Sequence, residues 1–312
     1  MIGKALRGVR AVVRENVLLS GKTTLRVGGP ARFFAELHDA DALATLLRAA
    51  RAERLPILAL GKGSNLLVPD AGFPGVVFTL VGDFLAARIE APEVVAGGGV
   101  SLMSLAVTTQ RAGLSGLENL SGIPSSLGGA VRINAGSYGS ELFDVLVSAD
   151  LVSAAGERRT VPAAVISHGY RWTALSDTDD VVTGARIRLV PKARDEIAAR
   201  IAEVAAKRKG ALPKQPNAGS IFKNPPGLFA GRLLEECGLK GRRVGGAEIS
   251  AVHANVIVNL GGATAADVRA LMDEMKTAVK EKFGIDLVPE IQVLGEAHGR
   301  RGPSVDTAFD GG

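Results

Sequence analysis

Leu60-Gly61-Lys62-Gly63-Ser64-Asn65-Leu66 closes an apolar run, Leu55 to Leu60, that reads as a buried strand. Glycines placed there let backbone N–H groups come close to a phosphate, and Lys62 or Ser64 adds charge or a hydrogen bond. The loop is not a Walker loop, because no G-x-x-x-x-G-K-[ST] occurs in the chain. It also fails the dinucleotide fingerprint, since Leu66 stands where the third glycine belongs and no helix follows at once. Asp83 lies at a suitable distance for a ribose-binding acid, which we weigh as chance. A tight β turn would use the same glycines, so this loop alone leaves both readings open.

A second loop tips the balance. Gly122-Ile123-Pro124-Ser125-Ser126-Leu127-Gly128-Gly129-Ala130 brings the hydroxyls of Ser125 and Ser126, and Asn134-Ala135-Gly136 follows. Two such loops in one domain point to a long ligand with a pyrophosphate. The expectation is a dinucleotide-like cofactor held by irregular backbone.

Composition narrows the class. A length of 312 residues is long for one domain and comfortable for two. With 46% hydrophobic and 22% charged residues the chain reads as an ordinary globular protein. Aromatic residues are only 4%, which argues against base-stacking platforms for nucleic acid. The net charge of +5 suits anionic small molecules and is too dilute for a DNA-binding stripe. No apolar run is long enough to span a membrane, and the start Met1-Ile2-Gly3-Lys4 lacks a signal-peptide core. A single cysteine, Cys237, permits no intrachain disulfide and fits a reducing cytoplasm. Its helical surroundings make it a buried small hydrophobe rather than a reactive thiol. The four histidines are scattered without metal-ligand spacing, so no metal site is expected. Nucleic-acid and membrane partners are not expected, and a cytoplasmic monomer is.

The element pattern is mixed. Asp39 caps a helix to Glu53 with Leu43, Leu46 and Leu47 on one face. Val76 to Leu80 is a short strand, and Val94 to Val100 is a strand running into Gly97, Gly98 and Gly99. Ser101 caps a helix to Arg111. Val145 to Val161 reads as a hairpin around Ala155-Gly156, and Val181 to Val190 as a strand. Asp195 to Lys209 reads as a charged connector helix, and Thr264 to Phe283 as a capped amphipathic helix. Ile285 to Leu294 reads as a final strand, and 297–312 as a disordered tail. This is an α+β pattern with a boundary near 190–212.

Three further places carry candidate chemistry. Asn217-Ala218-Gly219-Ser220-Ile221-Phe222-Lys223-Asn224-Pro225 is proline-bounded and glycine-bearing, a poor helix and a poor strand interior. A rigid turn presenting Ser220, Lys223 and Asn224 to one place is the economical reading, with a plain surface loop as the alternative. Arg171 stands between Tyr170 and Trp172 and so can hold a rigid fork for a carboxylate, or simply stack on a ring. Glu290 sits in an otherwise apolar strand ending, facing either a site or solvent.

Taken in order, Thr23-Thr24-Leu25-Arg26-Val27-Gly28-Gly29-Pro30-Ala31, the two glycine loops, Tyr170-Arg171, Gly219 to Pro225, His253-Ala254-Asn255 and Pro289-Glu290 resemble the UDP-N-acetylenolpyruvoylglucosamine reductase (MurB) family. The resemblance runs from about Leu18 to Glu296, and the length is similar to the shorter of the family's two subclasses. It implies a vanillyl-alcohol-oxidase-like (PCMH-type) FAD-binding domain of two α+β subdomains at 1–192. A connector helix at 193–212 and a C-terminal α+β substrate domain at 213–296 complete it. That fold holds FAD without the dinucleotide fingerprint. It implies the NADPH-driven reduction of UDP-N-acetylglucosamine enolpyruvate to UDP-N-acetylmuramate in peptidoglycan precursor synthesis. The substrate partner is a UDP-sugar enolpyruvyl ether.

Residue by residue, the resemblance makes Ser220 the proton donor and Arg171 and Glu290 the other catalytic groups. Cofactor contacts fall to Gly61, Lys62, Gly63, Ser64, Asn65, Gly122, Ile123, Pro124, Ser125, Ser126, Gly128, Gly129 and Asn134. Substrate contacts fall to Tyr170, Arg171, Lys214, Lys223 and Asn224. Which of Lys214, Arg208 and Lys223 meets the diphosphate is open. Thr173 and Leu175 depart from the family's usual pattern after Tyr-Arg, as does Ser125-Ser126-Leu127 in the cofactor loop. In the implied reaction Glu290 helps only as a hydrogen-bond donor, so an apolar setting that keeps it protonated near neutral pH is expected. Another flavin oxidoreductase on the same fold, or a non-catalytic nucleotide-sugar binder, are the rival readings.

Overall fold

The structure, a computed structural model, describes residues 2–295; the expected tail at 297–312 and Glu296 lie outside the described residues. Three sheets organise the chain. The first has the strand order Ala11–Leu18, Pro30–Leu37, Phe73–Leu80, Ile57–Ala59. Its first pair is antiparallel and the other two are parallel. Alternation along its inner strands explains why both faces are apolar. Phe33, Ala35, Leu37, Val76 and Phe78 face the helix Ala40–Ala52, while Phe34 and Val77 join Leu60, Leu66 and Val68 on the other side. Asp39 caps that helix as expected, its Oδ1 accepting from the Ala42 N–H at 2.8 Å.

The second sheet is fully antiparallel, in the order Arg158–Pro162, Leu146–Val152, Val181–Arg188, Glu93–Gly97, Ala87–Glu90. The hairpin expected around Ala155-Gly156 supplies its first two strands. Leu102–Arg111, capped by Ser101, and the short helix Leu127–Arg132 pack over it through Leu102, Leu105, Leu127 and Val131. The six-residue helix was hidden in the sequence by its two glycines, which lower helix propensity.

The helix Arg194–Ala211 leaves this sheet, burying Ile197 and Val204 against the second subdomain's Glu118–Leu120 turn. It leads into a third sheet, Asn217–Ser220, Val256–Asn259, Ala247–Ile249, Arg243–Val244, all antiparallel. The helix Ala265–Phe283 covers it with Val268, Leu271, Met272, Met275 and Val279. Its start is the Thr264/Asp267 capping box and its end is Gly284 in the left-handed region, φ 71°.

Two expectations are corrected here. Ile285 to Leu294 is not one strand: Pro289 makes a single bridge to Phe222, and only Gln292–Val293 pairs, in parallel with Leu66–Leu67 of the first region. Pro289 has no N–H to extend a ladder. The Asn217 to Pro225 segment begins as an edge strand rather than a turn. A bulge between Asn217 and Ser220, with Gly219 at φ 75°, lets glycine serve within it.

Candidate functional site

The two glycine loops meet. A Cβ at Gly61 would lie 2.5 Å from Ser126 Oγ, so the first loop reaches the second there and a side chain at Gly61 would displace that hydroxyl. The second loop is fastened to the glycine run after the 93–97 strand, with Gly128 N–H donating to Gly98 O at 2.8 Å. A Cβ at Gly128 would in turn stand 2.7 Å from Val182 O. Between the two subdomains this leaves a cavity of about 360 Å³. Gly61, Lys62, Ser126, Gly128 and Gly129 line it, joined by Gly98, Gly99, Arg132 and the 178–182 segment. Ser126 Oγ accepts from Gly129 N–H at 3.3 Å. Arg132 donates to the carbonyls of Asp180 at 2.9 Å and Thr178 at 2.7 Å, which holds the far wall in place. Burial draws its pKa below the usual guanidinium value, eased by Asp179, Asp180 and Asp177.

A cleft floored by backbone amides and closed to side chains at glycine positions fits FAD, whose long diphosphate-bearing body needs close backbone approach. Sequence reasoning missed Gly98, Gly99, Arg132 and 178–182. The run Gly97 to Gly99 is the available signal, and by pattern alone it is a strand ending. Arg132 and the 178–182 segment carried none.

Other members of the expected cofactor set face protein. Gly63 O accepts from the Thr24 backbone N–H at 3.0 Å, and a Cβ there would meet Lys22 O at 2.3 Å. Asn65 Nδ2 donates to the Glu290 carbonyl at 3.1 Å. Gly122 lies under Arg208 of the connector helix. Ser125 Oγ turns back to Ser126 O at 2.9 Å. Ser64, Ile123 and Pro124 are not in the cavity lining. Asn134 is a correction: it is 0% exposed, and its amide donates to Glu141 Oε2 at 2.6 Å and Gly169 O at 3.2 Å. Both donors are spent inside the protein, so its side chain fixes a turn (φ 47°) rather than reaching a ligand.

Beside the third sheet two of the expected catalytic groups, Arg171 and Glu290, meet, while Ser220 lines a separate cavity whose lining includes neither. Arg171 Nε donates to Glu290 Oε1 at 2.9 Å, and Arg171 Nη2 to Gly136 O at 2.6 Å. The Arg171 guanidinium carbon also stands 5.1 Å from the centre of the Tyr170 ring. The Glu290 N–H donates to Ile221 O at 2.8 Å, so the residue after Ser220 is tied to the residue that pairs with Arg171. Asn255 clamps the next residue from the other side: its Oδ1 accepts from Phe222 N–H at 3.0 Å and its Nδ2 donates to Phe222 O at 2.8 Å. The expected apolar setting of Glu290 is therefore corrected, because its nearest polar partner is a cation.

The substrate candidates divide. Lys223 Nζ donates to Arg171 O at 3.2 Å. Asn224 is exposed and its Oδ1 accepts from Ala230 N–H at 3.0 Å. Burial, then the Glu290 charge, raises the Tyr170 phenol's pKa, against Arg171 and a backbone hydrogen bond at Asn224. Lys214 is exposed in the turn beyond the connector helix. Ser220 opens onto a second cavity of about 640 Å³ shared with Asn224, Phe229, Arg232, His253 and Asn255. Its hydroxyl has no protein partner among the described residues. Cys237 sits at the end of the 230–236 helix, where burial raises its thiol pKa, as suits an inert packing residue.

The family model for the UDP-N-acetylenolpyruvoylglucosamine reductase C-terminal domain matches residues 212–294, and the model for an FAD binding domain matches 31–162. The chain is 41% identical to UDP-N-acetylenolpyruvoylglucosamine reductase 2 of Symbiobacterium thermophilum over 284 residues, 91% of this chain and 92% of that one. It is 44% identical to the reductase of an Anaeromyxobacter species over 296 residues, 94% and 92% of the two chains. The crystal structure of the Thermus caldophilus reductase superposes with a TM-score of 0.80 at 42% identity, covering 90% of this chain and 99% of that one. The α+β, vanillyl-alcohol-oxidase-like class expected from the sequence is the class these matches give.

Proposed function

Because this chain belongs to the UDP-N-acetylenolpyruvoylglucosamine reductase family, we propose that its two clefts are the successive halves of one reductase site. The protein is an NADPH-dependent FAD oxidoreductase that reduces UDP-N-acetylglucosamine enolpyruvate to UDP-N-acetylmuramate for peptidoglycan synthesis. Residues 1–192 form the FAD-binding domain, 193–212 the connector and 213–296 the substrate domain. The protein works as a cytoplasmic monomer without nucleic-acid or membrane partners. No helix among the described residues is long and apolar enough to cross a membrane.

The observation that carries the site reading is the Arg171–Glu290 pair, 2.9 Å apart, joined through Ile221 to the Ser220 segment. Bound there, FAD would supply the relay of reducing equivalents from NADPH to the enolpyruvyl double bond. Gly61, Lys62, Ser126, Gly128 and Gly129, which line the cavity between the first two sheets, would hold it. Negative charge then grows on the substrate carboxylate, and a cation fixed beforehand lowers that barrier most. Arg171 is that cation: Glu290 and Gly136 engage its Nε and Nη2 and fix the guanidinium beside the Ser220 segment. Ser220 gives its proton to the adjacent carbon. A serine hydroxyl is a weak acid, so it serves only against a strongly basic carbon in direct contact. Tyr170, Lys223 and Asn224 frame the substrate, and Lys214 lies at the entrance.

Purified protein carrying FAD is mixed with NADPH and UDP-N-acetylglucosamine enolpyruvate while the nicotinamide absorbance is followed. Substrate-dependent loss of that absorbance with formation of UDP-N-acetylmuramate is expected. NADPH consumption at the same rate without the enolpyruvyl sugar would defeat the reading.

A further inference from the structure

The connector helix carries a cation where its packing calls for an apolar residue. Ile197, Arg200, Val204 and Arg208 recur at helical spacing and form one face. Ile197 and Val204 are buried, and Arg200 Nε is held by Asn119 Oδ1 at 2.9 Å. Arg208 continues the face onto the second glycine loop. A Cβ at Gly122 would lie 2.2 Å from Arg208 Cδ and 2.7 Å from its Nε, so the side chain lies flat on that glycine. The guanidinium is half-buried, yet among the described residues it has no hydrogen bond or ion pair. Its electrostatic neighbour is the Tyr138 phenol, and burial pulls its pKa below the usual value. A desolvated cation without an acceptor is costly unless a ligand supplies one.

Its surroundings say which ligand. Tyr138 sits at the tip of the hairpin Gly136–Ser137 and Ser140–Glu141. Asn119 holds that hairpin through Tyr138 O at 3.1 Å and Ser140 Oγ at 2.8 Å, and the hairpin's base, Gly136, accepts from Arg171. Arg208 thus stands one hairpin away from the Arg171–Glu290 pair, and it lines neither the cofactor cavity nor the Ser220 cavity but the ground between them and the connector helix. Of the three basic candidates for the diphosphate, Lys223 is engaged with Arg171 O, and Lys214 is exposed with no hydrogen bond or ion pair among the described residues. A planar guanidinium with its stem already ordered suits two adjacent phosphates better than a mobile ammonium.

We propose that Arg208 anchors the diphosphate of the sugar-nucleotide substrate, held in place by its packing on Gly122. This rests on the reductase reading above. The substrate then spans from Arg208 to Arg171, with its enolpyruvyl end at Ser220.

The test uses the FAD-loaded enzyme with Arg208→Met, which keeps the stem on Gly122 and removes the charge, and with Arg208→Lys. UDP and uridine are the titrated probes. The parent is expected to bind UDP more tightly than uridine, and Arg208→Met to lose that preference. Its KM for the enolpyruvyl sugar should rise by ~10- to 100-fold with kcat, FAD content and the KM for NADPH unchanged. Arg208→Lys should fall between the two. Unchanged UDP affinity in Arg208→Met overturns the proposal, as does loss of FAD or a raised KM for NADPH in place of the substrate effect. A parent enzyme that does not turn over the enolpyruvyl sugar would instead overturn the reductase reading, and this proposal with it.

Discussion

The substrate domain meets the cofactor domain along two seams built from different materials. Against the first subdomain it is fused. Leu25, Val27 and Leu67 are buried in the core of the third sheet, and Gln292–Val293 extends a strand pair to Leu66–Leu67. Thr24 Oγ1 donates to Asn217 O at 2.7 Å, and Asn259 Nδ2 donates to Leu25 O at 3.1 Å. Asp70 from the first subdomain accepts from Ala265 N–H at 2.8 Å, at the start of the long helix. Against the second subdomain the contacts that define the site are charged and partly solvated: Arg171 to Glu290, and Lys223 to Arg171 O. Glu290 belongs to both seams. Its carbonyl is tied to Asn65 while its carboxylate crosses to Arg171. The first seam thus keeps Ser220 and Glu290 in register, and the second is where a substrate can exchange polar contacts at little cost.

The largest effect should come from cutting the fused seam. Leu25 is fully buried, and Leu25→Ala removes its packing from a core that two regions share. A loss of about 2–5 kcal/mol in denaturant unfolding is expected, with a single transition if the two regions unfold together. A small loss, or separate transitions for the two regions, would show that the first seam is a contact and not a shared core.

Ser220→Ala tests the other seam. Its hydroxyl has no protein partner among the described residues, so the unfolding midpoint should not move. Flavin reduction by NADPH should proceed as in the parent, while reoxidation by the enolpyruvyl sugar slows by about 10²-fold or more. Equal reoxidation rates in the two proteins would remove the proton-donor role from Ser220 and leave the second seam a binding surface alone.

The two seams were unequally legible in the sequence. Helices with strong local signals were readable: Asp39, Ser101 and Thr264 each accept the capping bond their position implied. The closing strand was over-read. Ile285, Leu287, Ile291 and Val293 alternate like a strand, but Pro289 interrupts the ladder and the pieces pair with different partners. In the cradle, glycine loops were visible as motifs, yet which glycines face a ligand and which face protein depends on tertiary packing. Gly61 opens on the cavity, while Gly63, two residues on, packs against Lys22 O. Asn134 was misread because an asparagine near glycines looks like a ligand contact, whereas it serves a left-handed turn. The Arg171–Glu290 pair spans 119 positions, and no local pattern records who meets a carboxylate at that distance.

The smallest effect separates the seams by pH. His253 lines the Ser220 cavity, and its Nδ1 accepts from the Asn255 N–H at 3.2 Å, beside the side chain that clamps Phe222. Burial, then the charge of Lys240, lowers its pKa below the ordinary 6.5, against Glu235 and a backbone hydrogen bond. A lowered folded-state value means that the unfolded chain takes up the proton first. The His253 contribution is therefore complete above pH 6.5 and is lost as pH falls below it toward the native value. Urea midpoints at pH 7.5 and 5.5 should drop in the parent and drop less in His253→Asn, whose Oδ1 can still accept from Asn255. Because the contacts of His253 among the described residues, with Gly231, Ser250 and Asn255, lie on the substrate side, amide exchange at Leu25 and Val27 in the fused seam should respond to acid alike in both proteins. An equal drop in midpoint for parent and variant would assign the acid sensitivity to other groups and leave His253 a packing residue.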